Sequence, residues 1–261
     1  MSNLELSGLV RIDILTAALS AGRYGAHIAP SLSLVEIVIA VLKSFSVGND
    51  SFILSKGHGA LGYYAAMHQL RMITDEQFAT FENNGSDFPG QPCRETSNCV
   101  EYSSGSLGMG LSYGVGVAFY KKSRNKGKVY VVLGDGELNE GSNWEAAALA
   151  ARLNLSNLVP IVDCNHLQSD GKCEEIFNMD LERIWSAHGW NVILCDGHSV
   201  TSLQQALTNR KPDAPSVILA KTIKGKGVSF MEGNNAWHHQ TLKEKDYQLA
   251  IKEIEARYEL C

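Results

Sequence analysis

The chain is short of several features that mark common functional classes. Positive charge is the first: 23 Lys and Arg against 28 Asp and Glu leave a net charge of −5, without the basic footprint on which nucleic-acid binding rests. Long apolar runs are the second. Val35-Glu36-Ile37-Val38-Ile39-Ala40-Val41-Leu42 is far below the roughly 18 residues a bilayer span needs, and it carries a carboxylate. No basic segment followed by an apolar one opens the chain, so no secretory signal is expected. The six cysteines include no C-x-x-C pair; Cys93, Cys99, Cys164, Cys173, Cys195 and Cys261 therefore read as reduced thiols of a cytoplasmic protein. No Gly-x-x-x-x-Gly-Lys-Ser/Thr occurs, which excludes a P-loop. Gly105-Ser106-Leu107-Gly108-Met109-Gly110 has the wrong spacing for a dinucleotide fingerprint, and no strand precedes it.

What is present suits one globular domain: 261 residues, 44% of them apolar. The first forty-five or so residues read as helical. Leu9, Ile12 and Ala17 fall near one face, Gly22 can end the first helix, and Ser33-Leu34-Val35-Glu36 has the form of a capping box for a second. Thr74-Asp75-Glu76-Gln77 is another box, opening a helix that reaches about Phe81, and 83–105 is a long loop of the kind that often carries function. From Leu107 the pattern alternates helix and strand. Strands are expected at 52–54, 129–133, 159–163, 191–195 and 217–220, and an amphipathic helix at about 242–258 after a second loop at 224–240. The fold class is α/β, a mainly parallel sheet with helices on both faces.

Chemistry concentrates at the ends of two of these strands. Val129-Tyr130-Val131-Val132-Leu133 runs into Gly134-Asp135-Gly136, and Leu158-Val159-Pro160-Ile161-Val162-Asp163 runs towards Asn165, with helix around 145–151 between them. Ligands of parallel sheets bind at such carboxyl ends. Asp135 and Asn165 can therefore converge as oxygen ligands of one hard cation of the Mg²⁺ type, which reaches proteins together with a ligand's phosphates. The competing reading of Asp135 is a plain helix N-cap. Glu140 and Glu145 read by themselves as a solvated helical face. His27, His58 and His238 stand among glycines or in loops, where a lone histidine is more often structural than catalytic. Lys224 and Lys226 are candidates either for phosphate or for anchoring a glycine-flanked loop.

The Gly-Asp-Gly motif followed about thirty residues later by Asn is the thiamine-diphosphate signature, and residues 134–171 resemble the transketolase family. So do Phe52-Ile53-Leu54-Ser55-Lys56-Gly57-His58-Gly59-Ala60 and Ser104-Gly105-Ser106-Leu107-Gly108-Met109-Gly110. Gly189-Trp190-Asn191-Val192, Asp196-Gly197-His198, Thr222-Ile223-Lys224-Gly225-Lys226-Gly227-Val228 and Trp237-His238 follow in family order.

The resemblance implies thiamine diphosphate and Mg²⁺ as cofactors, the ion held by Asp135, Asn165 and the carbonyl of Leu167. It implies cofactor contacts from His58, Gly105, Ser106, Leu107, Gly134, Asp135, Gly136, Glu140, Asn165 and His238. His27, His58 and His238 would line the channel to the reactive ring and exchange protons there, His27 and His238 also binding substrate. Glu140 and Glu145 would join a proton network across a subunit interface. His198 reads as structural.

A complete transketolase polypeptide is much longer, because a second domain binds the aminopyrimidine ring and supplies the glutamate that protonates it. The resemblance thus implies a partner chain carrying that domain, an α2β2 heterotetramer, and sugar substrates.

Three departures cluster where substrate would sit. Gln91 replaces the usual His of a Gly-His-Pro, Ala29-Pro30 replaces and stiffens the usual Gly-Gly turn after His27, and Met109 replaces Gln. A kept cofactor site with an altered substrate loop points to two-carbon ketol transfer on non-standard sugars. The rival readings are the α subunit of a 2-oxo-acid-decarboxylating E1-type enzyme and a non-catalytic regulatory subunit.

Overall fold

A computed structural model describes residues 1–95 and 100–260; Cys99 and Cys261 lie outside the described residues. Five strands, β1 (Ser51–Leu54), β2 (Val129–Gly134), β3 (Leu158–Cys164), β4 (Asn191–Asp196) and β5 (Ser216–Lys221), form a sheet of order β1-β2-β3-β5-β4. Every pairing is parallel. Every residue of β2 and β3 is buried, as expected when helices cover both faces.

The helices divide between those faces. On one lie α1 (Asn3–Ser20), α2 (Ile28–Ser33), α3 (Val35–Ser44) and α4 (Ala60–Gln69), preceding the short α5 (Asp75–Phe78). On the other lie α6 (Met109–Lys122), α7 (Gly141–Arg152) and, after the short α8 (Cys173–Ile176), α9 (Leu181–Ala187). The chain then crosses back through α10 (Val200–Thr208) and ends in α11 (Glu244–Arg257), both on the first face. Alternate strand residues feed two separate cores. Tyr130, Val132, Val159, Ile161 and Ile218 meet the first group of helices, while Val129, Val131, Leu133, Val162 and Leu219 meet α6, α7 and Trp185 of α9.

Local signals place most boundaries. Thr74 forms the expected capping box with Gln77, though its helix stops at Phe78 rather than Phe81. On α1 the buried face is Leu6, Val10, Ile14 and Ala17/Ala18, with Leu9 and Ile12 only half-buried beside it. Two expectations fail. Ser33 and Glu36 form no capping box: Leu34 precedes α3 with no side-chain cap, Ser33 Oγ donates to Pro30 O and Asp163 Oδ2, and Glu36 is taken by Arg11. Long-range partners for a buried hydroxyl and carboxylate outweigh a local cap. Nor is the segment after His27 a stiffened turn. Ala29 and Pro30 lie in the first turn of α2, where a missing N–H costs nothing because it has no intrahelical acceptor.

Candidate functional site

The β2–β3 register pairs Gly134 with Asp163, so the strands end level and the residues just beyond them meet. Asp135 Oδ1 accepts from Gly136 N (2.8 Å) and Oδ2 from His166 N (2.5 Å), while Asn165 Oδ1 accepts from Leu167 N (3.0 Å). Asp135 thus caps a 3-10 turn and also grips the loop after β3. Burial first, and the Asp163 charge second, push the Asp135 carboxyl up to about 6. Such a site favours an added cation. A Cβ on Gly136 would stand 2.7 Å from Gln168 Cγ, so any larger residue here would push the Gln168 side chain aside. Among the described residues no three His, Cys, Asp or Glu side chains gather as a metal site. A hard cation held here would therefore take its remaining oxygens from a backbone carbonyl, water or a bound ligand.

Beyond β1 and the two long loops, three histidines converge. Ring centroids of His27 and His58 are 6.1 Å apart, and that of His238 stands 5.4 Å from each, with His239 4.6 Å from His27. Burial first, then neighbouring cationic groups, lowers His27 to about 4 and His238 to about 3, and holds His58 well below its usual value. All three are neutral at pH 7, each with one donor and one acceptor nitrogen. Gln91 lies beside them: a Cβ on Gly57, the neighbour of His58, would fall 2.3 Å from Gln91 Oε1 and 2.4 Å from Ser104 Oγ. Gln91 Oε1, Ser104 Oγ and His238 Nδ1 are buried without partners. Three buried polar atoms of one neighbourhood are thus left without partners among the described residues.

Two buried polar hubs, which sequence reasoning did not single out, hold these pieces in place. Glu137, 2% exposed, accepts from Ser55 Oγ, Gly108 N (2.9 Å) and Gly134 N (3.1 Å), tying together three of the motif segments. Lys56 donates to Pro30 O, Ser33 Oγ and Asp163, and Asp163 also accepts from Ser33 and Thr222. The hub joins the α2 segment behind His27, the β1 end before His58, the strand before Asn165 and the end of β5. Burial alone would raise the Asp163 carboxyl; the Lys56 charge and the hydrogen bonds of Lys56, Ser33 and Thr222 outweigh it and hold it low. The visible signal for both hubs was a charged residue inside an apolar or glycine-rich motif.

Lys224 anchors loops, donating to Gln168 O (2.9 Å) and Asn235 Oδ1 (3.1 Å), and so joins the loop after β3 to the one bearing His238. His198 is structural: Nε2 accepts from Ile223 N and Nδ1 faces Glu36. Gly105 has φ 136°, and beyond it Ser106 is exposed and Leu107 half-buried. Glu140 is the N-cap of α7, not part of it, and both it and Glu145 are exposed. Met109 is 48% exposed at the start of α6. No helix of the described residues is long and apolar enough to cross a membrane.

Residues 42–257 match the family model described as transketolase, thiamine diphosphate binding domain. A subunit of the apulose-4-phosphate transketolase of Actinobacillus succinogenes is 40% identical over 244 residues, covering 88% of each chain. The 6-deoxy-6-sulfo-D-fructose transketolase subunit SqwG of a Clostridium species is 35% identical over 242 residues, again 88% of each. The transketolase of Campylobacter jejuni superposes with a TM-score of 0.85 at 27% identity; the match covers 97% of this chain and 43% of that one. The chain thus spans most of the length of these transketolase subunits but less than half of the solved transketolases. Sequence, length and fold agree that this chain belongs to the transketolase family, carries its thiamine-diphosphate-binding domain, and is a relative of chains named as transketolase subunits.

Proposed function

We propose that the chain is the diphosphate-binding subunit of a two-chain transketolase, moving a two-carbon ketol unit from a ketose to an aldose. The observation that carries this is the neutral cluster of His27, His58 and His238, whose His238 loop is tied through Lys224 to the loop that follows Asn165. Thiamine diphosphate, when bound, supplies the carbon nucleophile that opens the ketose C2–C3 bond. Asp135, Asn165 and the Leu167 carbonyl hold Mg²⁺, and Gly134, Gly136, Gly105, Ser106, Leu107 and Glu140 surround the cofactor. Neutral His58 and His238 accept or donate a proton at Nδ1 or Nε2 without first shedding charge. His27, Gln91 and His238 hydrogen-bond the sugar oxygens. Glu145, with Glu140, faces a neighbouring protomer and carries the proton network there.

The partner in this reading is a C-terminal transketolase subunit with the pyrimidine-binding domain, assembled as α2β2. Similar chains of this length are themselves named as subunits, which supports it. Those relatives are named for apulose 4-phosphate and a sulfonated fructose, and Gln91 cannot shuttle protons as histidine does. Both observations favour a non-standard donor or acceptor. Co-purification with the partner and a ketol-transfer assay over a sugar panel tests the proposal. Transfer from at least one ketose is expected; CO₂ release from a 2-oxo acid, or no thiamine-diphosphate uptake by the complex, refutes it.

A further inference from the structure

The amino end of the sheet carries a second concentration of unused polar groups, facing away from the candidate site. A cavity of about 630 Å³ opens there, lined by Lys126, Lys128, Arg210 and Lys211, with Asn157 and Ser156 between them. No acidic side chain lines it among the described residues, although acids outnumber bases in the whole chain. The volume falls in the range of small-molecule sites.

Arg210 is the central feature. It is half-buried, yet its guanidinium meets no carboxylate among the described residues: Nε donates to Leu207 O and Nη1 to Ser156 O, both at 3.1 Å. Burial lowers its pKa, with only the Tyr130 hydroxyl opposing. The two carbonyls fix the plane of the fork. A charge held in place but uncompensated is costly unless an anion supplies the counter-charge. Lys126 and Lys128 are exposed on the β2 approach and Lys211 follows Arg210, so three more cations face the same space. Nearby Asp50 is already engaged, its oxygens accepting from Ser46 N and Lys128 N. Asn157 Nδ2 donates to Ala118 O, while its Oδ1 is buried without a donor. The cavity therefore gathers cations that face no carboxylate among the described residues.

We propose that this cleft binds a phosphorylated small molecule, its phosphate oxygens on Arg210 and the lysines. Arg in a fixed plane suits phosphate, and lysines add charge without directional demand. The site is an effector site, not a second substrate site. β2 and β3 run from Lys128 and Asn157 to Asp135 and Asn165, which puts the two ends roughly 25 Å apart at about 3.3 Å per residue. Binding at this cleft does not rest on the transketolase reading; its assignment as an effector site does.

The test is a titration of the ¹⁵N-labelled full chain with inorganic pyrophosphate at physiological ionic strength, followed by amide shifts. Saturable shifts are expected at Gly127, Lys128 and Thr208. The exposed pair Lys126→Glu/Lys128→Glu should weaken them at least about tenfold while leaving any response around Gly136 intact. Parallel arms with adenosine diphosphate and fructose bisphosphate then distinguish a nucleotide from a sugar phosphate. Shifts confined to Gly136, shifts reproduced by KCl of equal ionic strength, or unchanged binding in the double variant would each overturn the proposal. Failure here leaves the ketol-transfer assay untouched, and the reverse holds.

Discussion

Replacing Lys56 by Met should be among the most damaging single changes to this fold, although no ligand contact is assigned to it. Its ammonium and the Asp163 carboxylate are 1% and 0% exposed. At a contact of about 3 Å and an effective dielectric near 20, their attraction is roughly 5 kcal/mol, offset by the cost of burying both charges. Removing Lys56 loses the attraction but keeps the cost of burying Asp163, leaving that carboxylate with only two hydroxyl donors, so Lys56→Met should cost about 3–5 kcal/mol. The companion variant Asp163→Asn strands the ammonium instead. The double variant Lys56→Met/Asp163→Asn removes both charges, while the Asn oxygen can accept from one of the Ser33 and Thr222 hydroxyls and its NH2 can donate to the other. It should recover most of the loss, with a coupling of at least about 2 kcal/mol. Urea unfolding of the four proteins measures this directly. Because the hub joins segments carrying His27, His58 and Asn165, Lys56→Met should also weaken cofactor binding in the folded protein. A loss under about 1 kcal/mol, or a double variant as unstable as the summed singles, would refute the argument.

Four further outcomes are expected. Asp135→Ala with Asn165→Ala should abolish Mg²⁺-dependent thiamine-diphosphate uptake by the reconstituted complex, read by calorimetry. Glu137→Ala leaves two buried N–H groups unpaired and should cost about 2–4 kcal/mol, checked by denaturant unfolding. Gln91→His should change the ratio of kcat/KM between sugars by about tenfold or more, one good hydrogen bond's worth; an unchanged ratio removes Gln91 from specificity. His27 is held neutral, with a folded pKa of about 4 against the ordinary 6.5. Acidification protonates the unfolded chain first and erodes stability as pH falls from 6.5 towards 4. His27→Gln should flatten that slope in denaturant midpoints taken across the window.

Much of the site was legible in the sequence because its chemistry sits at the ends of regular elements. A β-branched run ending in Gly134-Asp135-Gly136, and a second ending before Asn165, place both residues at strand tips before any coordinates are known. The family order of motifs then carries His27, His58 and His238 to one place although up to 211 residues separate them. The Thr74 box and all five strands also followed from local pattern, since backbone preference and alternation act over a few residues.

The tertiary structure alone decided what the buried charges do. Ser33 and Glu36 carry the form of a cap, yet Asp163 and Arg11, from distant segments, take them, because a buried polar group answers to its strongest partner and not its nearest neighbour in sequence. Lys56, Glu137 and Asp163 look like ordinary members of their motifs, and only the parallel register brings them beneath the loops they hold. The basic cleft was equally invisible: Lys126 and Arg210 are 84 positions apart, and only the folding of the β2 and α10 segments to one end of the sheet gives them a common cavity.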